Sequence, residues 1–199
     1  RPPGQPEGAR PRVRANAARM RGHFSRGLDP LTYEAILYDV ADRVATITLN
    51  KPERLNAFDD HMLTEWADAI GRADQDRGVG AVIITGAGRG FCSGMNVAAE
   101  AGGSRVLRTQ ASVADRRHSL RDRVHPIPRA LIQLEKPYIA AINGAAAGAG
   151  MDMATMADIR FMSTTARVGM TYVRMGLIPG DGGTYSLPRV VSPFTNRKS

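Results

Sequence analysis

The amino-acid sequence predicts an α/β fold in which helices alternate with parallel strands. Two short, continuously apolar runs, residues 80–86 and 138–144, each end in glycine, a pattern typical of strands buried inside a parallel sheet. A helix is predicted just before the second run, at residues 127–135, with Leu131 and Leu134 on one side. Helices that alternate with buried strands indicate βα repeats with parallel pairing.

The chain is expected to enter this fold through a β-hairpin. Residues 35–40 and 44–49 are rich in apolar and β-branched side chains, and the tight turn at residues 41–43 separates these two predicted strands. A helix follows, with Asn56 or Asp59 as its predicted cap. Its apolar positions recur at helical spacing and are Met62, Leu63, Trp66, Ala67, Ile70 and Ala73.

A polar segment separates the two predicted halves of the sheet. Residues 98–125 are rich in Ala, Arg and Asp and follow a glycine turn. We expect a loop followed by a helix here, and we expect it to be the least ordered internal part of the chain. His118 and His125 lie in this segment and are predicted to be solvated.

The positive charge of the protein lies in its tails. The 199-residue chain has a formal charge of +8. Residues 1–30 hold seven Arg against two acidic residues, and the last three residues add two more positive charges, which leaves +1 for residues 31–196. The body of the protein therefore lacks the basic face that nucleic-acid binding requires, and no nucleic-acid partner is expected.

Cysteine usage and hydropathy predict a cytoplasmic protein. Cys92 is the single cysteine; it excludes an internal disulfide and is expected to be a small buried side chain rather than a nucleophile. No Cys/His zinc spacing occurs, and no apolar run reaches the roughly 18 residues of a membrane span, so neither a metal nor a membrane partner is expected. An organellar transit peptide within the Arg-rich N-terminus is the alternative, although its prolines disfavour an amphipathic helix.

Two glycine turns follow the two buried strands and are candidate ligand sites. They occupy residues 88–96 and 143–152, and turns at the carboxyl ends of parallel strands line the ligand crevice. The second turn leads into a predicted helix at residues 151–156, whose first N–H groups suit an oxyanion. The open alternative is that these glycines serve only tight turns and close helix packing. Neither turn matches a P-loop or a dinucleotide fingerprint.

Five motifs occur in order along the chain, at residues 50–57, 90–96, 136–144, 157–160 and 176–183. In order and spacing they resemble the enoyl-CoA hydratase/isomerase (crotonase) superfamily, and the resemblance covers about residues 33–191. It implies a crotonase-like α/β fold with a ββα spiral core. It also implies an acyl-CoA thioester as the partner and no cofactor besides the CoA of the substrate.

The resemblance further implies roles for individual residues. Met95 and Ala149 match the two positions whose backbone N–H groups form the oxyanion hole of the superfamily, which holds a thioester enolate. Ser93 matches a position whose backbone contacts the CoA adenine, and Arg54 and Leu55 match the stretch that lines the CoA entrance. The other positions assigned to substrate and CoA binding are Ala57, Gly94 and Gly148.

The catalytic positions depart from those of the hydratases. Hydratases of the superfamily use two Glu residues, and the matching positions here are Asp152 and Tyr172. Hydration requires both carboxylates to position and activate water, so Tyr172 argues against ordinary 2-enoyl-CoA hydration. Asp181 matches a position where dienoyl-CoA isomerases and some ring-forming or ring-cleaving relatives carry a functional Asp. We therefore predict Asp152 and Asp181 as an acid/base pair, with Tyr172 as a hydrogen-bonding or proton-donating phenol.

The predicted function is an acyl-CoA-processing enzyme of the enoyl-CoA hydratase/isomerase type, with proton transfer at or near the α-carbon. A dienoyl-type isomerase or a carbon–carbon bond hydrolase that uses Asp152 and Asp181 stays open, as does a catalytically silent CoA-binding paralogue. Purely structural roles for these three residues also stay open. Asp152 can be a carboxylate that stabilises a helix start through the helix dipole, Asp181 suits a turn, and Tyr172 can be a packing residue.

The sequence divides into three parts. Residues 1–30 are predicted to be a disordered Arg/Pro-rich extension, residues 31–191 an acyl-CoA-binding domain, and residues 192–199 a tail outside the superfamily pattern. The resemblance implies further C-terminal helices in relatives, which cover the active site and form the trimer interface. We expect that region to be missing here and apolar surface to be exposed in consequence. A homotrimer or hexamer is expected for a full-length relative.

Overall fold

A computed structural model describes residues 33–96 and 112–191, which form an α/β fold. Two short 3₁₀ turns, Pro52–Arg54 and Tyr172–Met175, and one π-helical turn, Leu120–Val124, accompany the regular elements. The strands are β1 Ile36–Ala41, β2 Val44–Leu49, β3 Ala81–Gly86, β4 Gly90–Cys92, β5 Tyr138–Ile142, β6 Ala145–Ala147, β7 Ile159–Met162 and β8 Val168–Gly169. The α-helices are α1 Asp60–Gln75, α2 Val113–Ser119, α3 Pro126–Gln133, α4 Ala149–Thr155 and α5 Gly183–Val190.

The predicted hairpin is confirmed. Strands β1 and β2 pair antiparallel, with Ala41 opposite Val44 at the closed end. Asp42 and Arg43, between them, both have a positive φ, of 50° and 65°. Two successive residues in the left-handed region produce the turn whose twist matches that of the flanking strands.

Parallel pairing dominates the rest of the fold, as predicted. The larger sheet has the order β1-β2-β3-β5-β7 and is parallel from β2 onward. A smaller parallel sheet has the order β4-β6-β8. Each later strand of the large sheet is thus followed in the chain by a strand of the small sheet. This repeated ββ unit carries both glycine turns to the boundary between the two sheets.

Helix α1 covers the large sheet with the apolar face that the sequence predicts. The six apolar positions predicted for this helix are buried, and Trp66 Nε1 donates a hydrogen bond to Tyr138 Oη at 3.2 Å. Asp59 is the cap, because its Oδ1 accepts a hydrogen bond from the Met62 N–H at 3.0 Å. The alternative prediction of Asn56 as the cap is wrong. Asn56 is fully buried, and its amide holds a turn of the site.

The predicted polar segment is described in part. Residues 98–111 lie outside the described residues, and α2, the π-helical turn and α3 follow them. His118 is exposed, as predicted, whereas His125 is partly exposed and its Nε2 lies 3.1 Å from the Gly180 carbonyl oxygen. The predicted extension, residues 1–30, and the predicted tail, residues 192–199, also lie outside the described ranges. No helix in the described ranges is long and apolar enough to cross a membrane.

Candidate active site

The two glycine turns meet at the end of the small sheet. A side chain on Gly150 would overlap the Cys92 carbonyl, so only glycine allows this approach. Gly94 has a φ of 95°, and a Cβ at this position would lie 2.8 Å from the Ala147 oxygen and 3.5 Å from the Ala149 nitrogen. The backbone of the first turn therefore lies directly against the start of α4.

The Met95 N–H is directed away from the neighbouring chain segment by the local pairing. Phe58 and Met95 form a parallel β-bridge. The bonds of this bridge run from Phe58 N to the Gly94 oxygen (2.9 Å) and from Asn96 N to the Phe58 oxygen (2.8 Å). In a parallel bridge of this kind, the opposed residue uses neither of its own polar groups. The Met95 N–H therefore points to the side opposite Phe58.

Ala149 presents the second backbone donor. It is the first residue of α4, and the first N–H groups of a helix have no intrahelical acceptor. Gly148 caps the helix with a φ of 52°, and its N–H donates to the Gly169 oxygen of β8 at 2.9 Å. Ala149 is buried, so its donor is fixed in position and removed from bulk water.

The residues predicted to bind CoA come together beside the first turn. The Ser93 N–H donates to the Leu55 oxygen at 2.9 Å, and Ser93 Oγ lies 3.2 Å from the Arg54 oxygen. The Ala57 N–H donates to the same Arg54 oxygen at 3.1 Å. Arg54 itself is exposed. These contacts place an exposed cation beside the first glycine turn.

Asp152 lies next to the Ala149 donor on the same helix. Residues three apart share a face of an α-helix, and Asp152 follows Ala149 by three positions in α4. Its side chain is completely buried, and Tyr172 Oη donates to its Oδ2 at 2.6 Å. Burial raises the pKa of Asp152 above its usual value, while the hydrogen bond from Tyr172 opposes that rise.

Asp181 completes a buried trio with Asp152 and Tyr172. Its Oδ2 lies 3.3 Å from Tyr172 Oη, and its side chain is only 5% exposed. Burial, reinforced by the negative charge of Asp152, raises the pKa of Asp181 to about 7. The pKa of Tyr172 is raised by burial and by its hydrogen bond to Asp152. Within the described ranges, Oδ1 of each carboxyl group lacks a hydrogen-bond partner.

Two asparagines that we did not predict as site residues hold the first glycine turn. Asn56 Nδ2 donates to the Gly90 oxygen at 2.8 Å. Asn143 Nδ2 donates to the Gly86 oxygen at 2.8 Å, and the Gly86 N–H returns a bond to Asn143 Oδ1 at 3.3 Å. Each asparagine lies inside one of the five motifs, and this was the available signal. Their function is to fix the backbone that leads to Met95.

Cys92 is buried and unreactive in this arrangement. Its Sγ donates to the Asn56 carbonyl oxygen at 3.2 Å, and burial raises the pKa of the thiol to about 12. A thiol with so high a pKa is almost entirely protonated near neutral pH. The structure therefore supports the prediction that Cys92 fills space beside the turn.

Comparison with known proteins identifies the family. Residues 39–196 match the family described as enoyl-CoA hydratase/isomerase. The chain belongs to the enoyl-CoA hydratase/isomerase family. The crotonase-like fold inferred from the five motifs is thereby confirmed, since this match spans all but the start of the first strand.

Individual relatives agree with this assignment. The chain is 40% identical over 157 residues to 1,2-epoxyphenylacetyl-CoA isomerase of Escherichia coli, an alignment that covers 79% of this chain and 58% of the relative. It is 36% identical over 157 residues to short-chain-enoyl-CoA hydratase of Clostridium acetobutylicum, covering 78% and 57%. The chain thus spans less than two thirds of the length of these relatives.

A solved structure of the family has the same fold. The crystal structure of enoyl-CoA hydratase from Bacillus anthracis matches with a TM-score of 0.67 and 29% identity, covering 81% of this chain and 60% of that chain. The enoyl-CoA hydratase/isomerase family thus accounts for the arrangement of both sheets.

Proposed function

We propose that this chain binds an acyl-CoA thioester and transfers a proton at or next to the α-carbon, while the N–H groups of Met95 and Ala149 hold the enolate oxygen. The observation that carries this proposal is the junction of the two glycine turns. There the Met95 N–H points away from Phe58, and the Ala149 N–H heads a helix. Backbone donors fixed in this way stabilise a developing oxyanion without reorganisation, and each is worth roughly 3–4 kcal/mol in comparable sites.

Asp152 is the acid/base group in this proposal. It lies three residues after Ala149 in α4, on the same face of the helix. Its burial raises its pKa towards the range in which a carboxylate accepts and returns a proton efficiently. A carboxylate beside the oxyanion donors suits removal of a proton from the carbon next to the thioester carbonyl.

The residues at the crevice edge support a CoA ligand. Ser93 is tied to both Arg54 and Leu55, and the Arg54 side chain is exposed. A guanidinium group is well suited to bind a phosphate of CoA. The names of the relatives, an epoxyphenylacetyl-CoA isomerase and an enoyl-CoA hydratase, support a CoA thioester as the ligand class.

Between the two reaction types in those names, the trio favours isomerisation over hydration. Hydration requires a second carboxylate to position water, whereas Tyr172 supplies a phenol that already donates to Asp152 at 2.6 Å. The second acid available is Asp181, which lies on the other side of Tyr172. Two acids linked through a phenol suit the movement of a proton from one carbon to another.

Exchange of the α-protons in deuterated water tests this function directly. Saturated acyl-CoA thioesters are incubated with the protein, and deuterium incorporation is followed by mass spectrometry. Asp152→Asn is expected to lower the exchange rate by about 10²–10⁴-fold and to keep the affinity for the thioester. Asp39→Asn, on the exposed face of β1, is the matched control and should behave like wild type.

Ala149→Pro tests the oxyanion donor at the same time. Proline is well tolerated at the first position of a helix, so this change removes one N–H and leaves the backbone in place. Exchange is expected to fall about 10²–10³-fold. Full exchange by either variant would contradict the assigned role. Thioester binding without any exchange by wild type would identify a silent CoA-binding protein instead.

A further inference from the structure

Asp152 and Asp181 are two buried carboxyl groups without a compensating cation. Their side chains are 0% and 5% exposed, and neither forms an ion pair within the described ranges. Two unpaired negative charges in one buried pocket are very costly. A carboxyl pair of this kind lowers the cost by keeping one proton.

The phenol between them cannot satisfy both carboxylates. Tyr172 has one hydroxyl hydrogen, and the short 2.6 Å distance assigns it to Asp152 Oδ2. With that hydrogen directed at Asp152, none remains between Tyr172 Oη and Asp181 Oδ2, which lie 3.3 Å apart. This contact is attractive only if Asp181 is protonated and donates to the phenol oxygen.

The two acids differ in their surroundings, and this difference decides which one carries the charge. A Cβ on Gly183 would overlap Asp152 Oδ1, so this carboxylate lies directly against the first residue of α5. The N-terminal end of a helix favours a negative charge. Asp152 therefore has both the phenol and a helix end to stabilise its ionised form, whereas Asp181 faces the phenol oxygen and the charge of Asp152.

We infer that Asp152, Tyr172 and Asp181 form a single-proton relay in which Asp152 is the base, Asp181 is the acid and Tyr172 returns the proton between them. The inference rests on the proposed function and adds the direction of proton flow. The resting trio carries one negative charge, on Asp152. The hydrogen bonds of the trio form one chain: Asp181 donates to Tyr172, and Tyr172 donates to Asp152.

The proton balance closes over one isomerisation. Asp152 takes a proton from the substrate carbon, and the electron pair of the broken C–H bond moves into the enolate. The enolate then forms a new C–H bond at a second carbon with the proton of Asp181, which becomes ionised. Tyr172 passes its hydroxyl proton to Asp181 and takes the proton of Asp152. The trio returns to its starting state without a net gain or loss of protons.

In the described part of the chain no Lys or Arg forms an ion pair with either acid, and the backbone N–H groups of Gly183 and Asp181 favour the ionised form of Asp152. His125, which follows the π-helical turn, contacts the Gly180 oxygen next to Asp181 through its Nε2 at 3.1 Å. Thr155 Oγ1 of α4 and Ser186 Oγ of α5 hydrogen-bond to each other at 2.6 Å. The elements packed against the two acids are thus linked by neutral hydrogen bonds, apart from the ionisable imidazole of His125.

Infrared spectroscopy tests the shared proton without any turnover. Wild type should show the carbonyl stretch of one buried protonated carboxyl group, identified by its shift in deuterated water, and lose it with a midpoint near pH 7. Asp181→Asn should remove this band. Asp152→Asn should keep the band and lower its midpoint, because the neighbouring negative charge is gone. A wild-type spectrum without the band, or a band that survives in Asp181→Asn, would overturn the inference.

Turnover by a variant without the Tyr172 hydroxyl tests the step in which this phenol returns the proton from Asp152 to Asp181. Tyr172→Phe should lower sustained double-bond migration in an unsaturated acyl-CoA thioester at least about tenfold, with unchanged thioester affinity. Tyr185→Phe, an exposed tyrosine on α5, is the matched control and should retain the wild-type rate. Unchanged double-bond migration in Tyr172→Phe would overturn the relay. If wild type exchanges no thioester while the infrared band behaves as expected, the proposed function fails and the shared proton stands.

Discussion

The hairpin with α1 and the segment from β7 to the end of α5 are held in place by different forces. Side chains from β1, β2 and α1 form a continuous buried core that includes Ile36, Ile47 and Trp66. In residues 159–191, which are described throughout, the buried residues are Asp181 and Gly183. Several large apolar side chains of that segment face outward, with Phe161 65% and Ile178 85% exposed.

Polar contacts of the site hold the C-terminal segment in addition to the pairing of β7 with β5 and of β8 with β6. Tyr172 and Asp181 hold the segment to α4 through Asp152, and Ser186 does so through Thr155. Apolar burial stabilises the first region by about 25 cal/mol per Å², whereas the second combines the pairing of β7 and β8 and partly buried side chains such as Leu187 with these polar contacts. Substitutions in the first region should therefore change stability alone, whereas substitutions in the second should change both stability and catalysis.

The two regions should differ most in how much stability they lose when a large apolar side chain is removed. Trp66→Ala opens a cavity under α1 and leaves Tyr138 Oη without its indole donor, so we expect a loss of about 3–5 kcal/mol in the free energy of unfolding. Phe161→Ala on the exposed face of β7 is the control, with an expected change within about 0.5 kcal/mol. Urea unfolding followed by circular dichroism measures both. Similar losses in the two variants would mean that β7 is buried against another surface in solution.

A smaller change in the C-terminal segment should affect both stability and activity. Gly183→Ala places a Cβ where the Asp152 carboxylate lies, and the strain is expected to cost about 1–3 kcal/mol and to lower α-proton exchange by more than tenfold.

Gly71→Ala, at a helical position of α1 where a Cβ meets no atom within 4 Å, is the matched control. It should stabilise the chain by about 0.5–1 kcal/mol without changing exchange. Thermal unfolding and the exchange assay decide this comparison. If Gly183→Ala lost stability but kept full exchange, the coupling between anchoring and chemistry would be wrong.

The sequence predicted the first region through periodicity and the second only through resemblance. Apolar spacing located the hairpin, α1 and the buried strands, because burial of one face imposes a regular pattern. No such pattern marks residues 159–191, and the roles of Tyr172 and Asp181 were inferred from motif positions.

Apolar periodicity does not reveal contacts between residues that lie far apart in the sequence. The Asn56 amide bonds to Gly90, more than thirty positions away, and the sequence alone indicated only that Asn56 was a possible cap. His125 and Gly180, which lie on separate elements, meet in the same way. A local pattern cannot reveal such pairs, because they depend on how the two sheets bring their turns together.

The last expected effect, and the one that most sharpens the comparison, is the pH dependence that Asp181 contributes to stability. Its pKa is about 7 in the folded chain and near 3.8 in a model peptide. Between about pH 4 and pH 7 the folded state therefore binds more protons than the unfolded state. The unfolding free energy must fall as the pH rises through this window, by at most about 1.4 kcal/mol per pH unit from this group. Below the window both states are protonated, and above it both are ionised, so the slope vanishes.

Asp181→Asn imitates the protonated acid, because the amide can donate to the Tyr172 oxygen and carries no charge. The variant should match wild type near pH 4, lose stability less steeply as the pH rises, and be more stable than wild type near pH 8. Urea unfolding at a series of pH values measures this slope, with Asp39→Asn on exposed β1 as the control that keeps the wild-type profile. An identical slope in Asp181→Asn and wild type would show that Asp181 is ionised in the folded chain. In that case the C-terminal segment would be held against α4 in spite of two buried charges, and polar contacts would not explain how it is anchored.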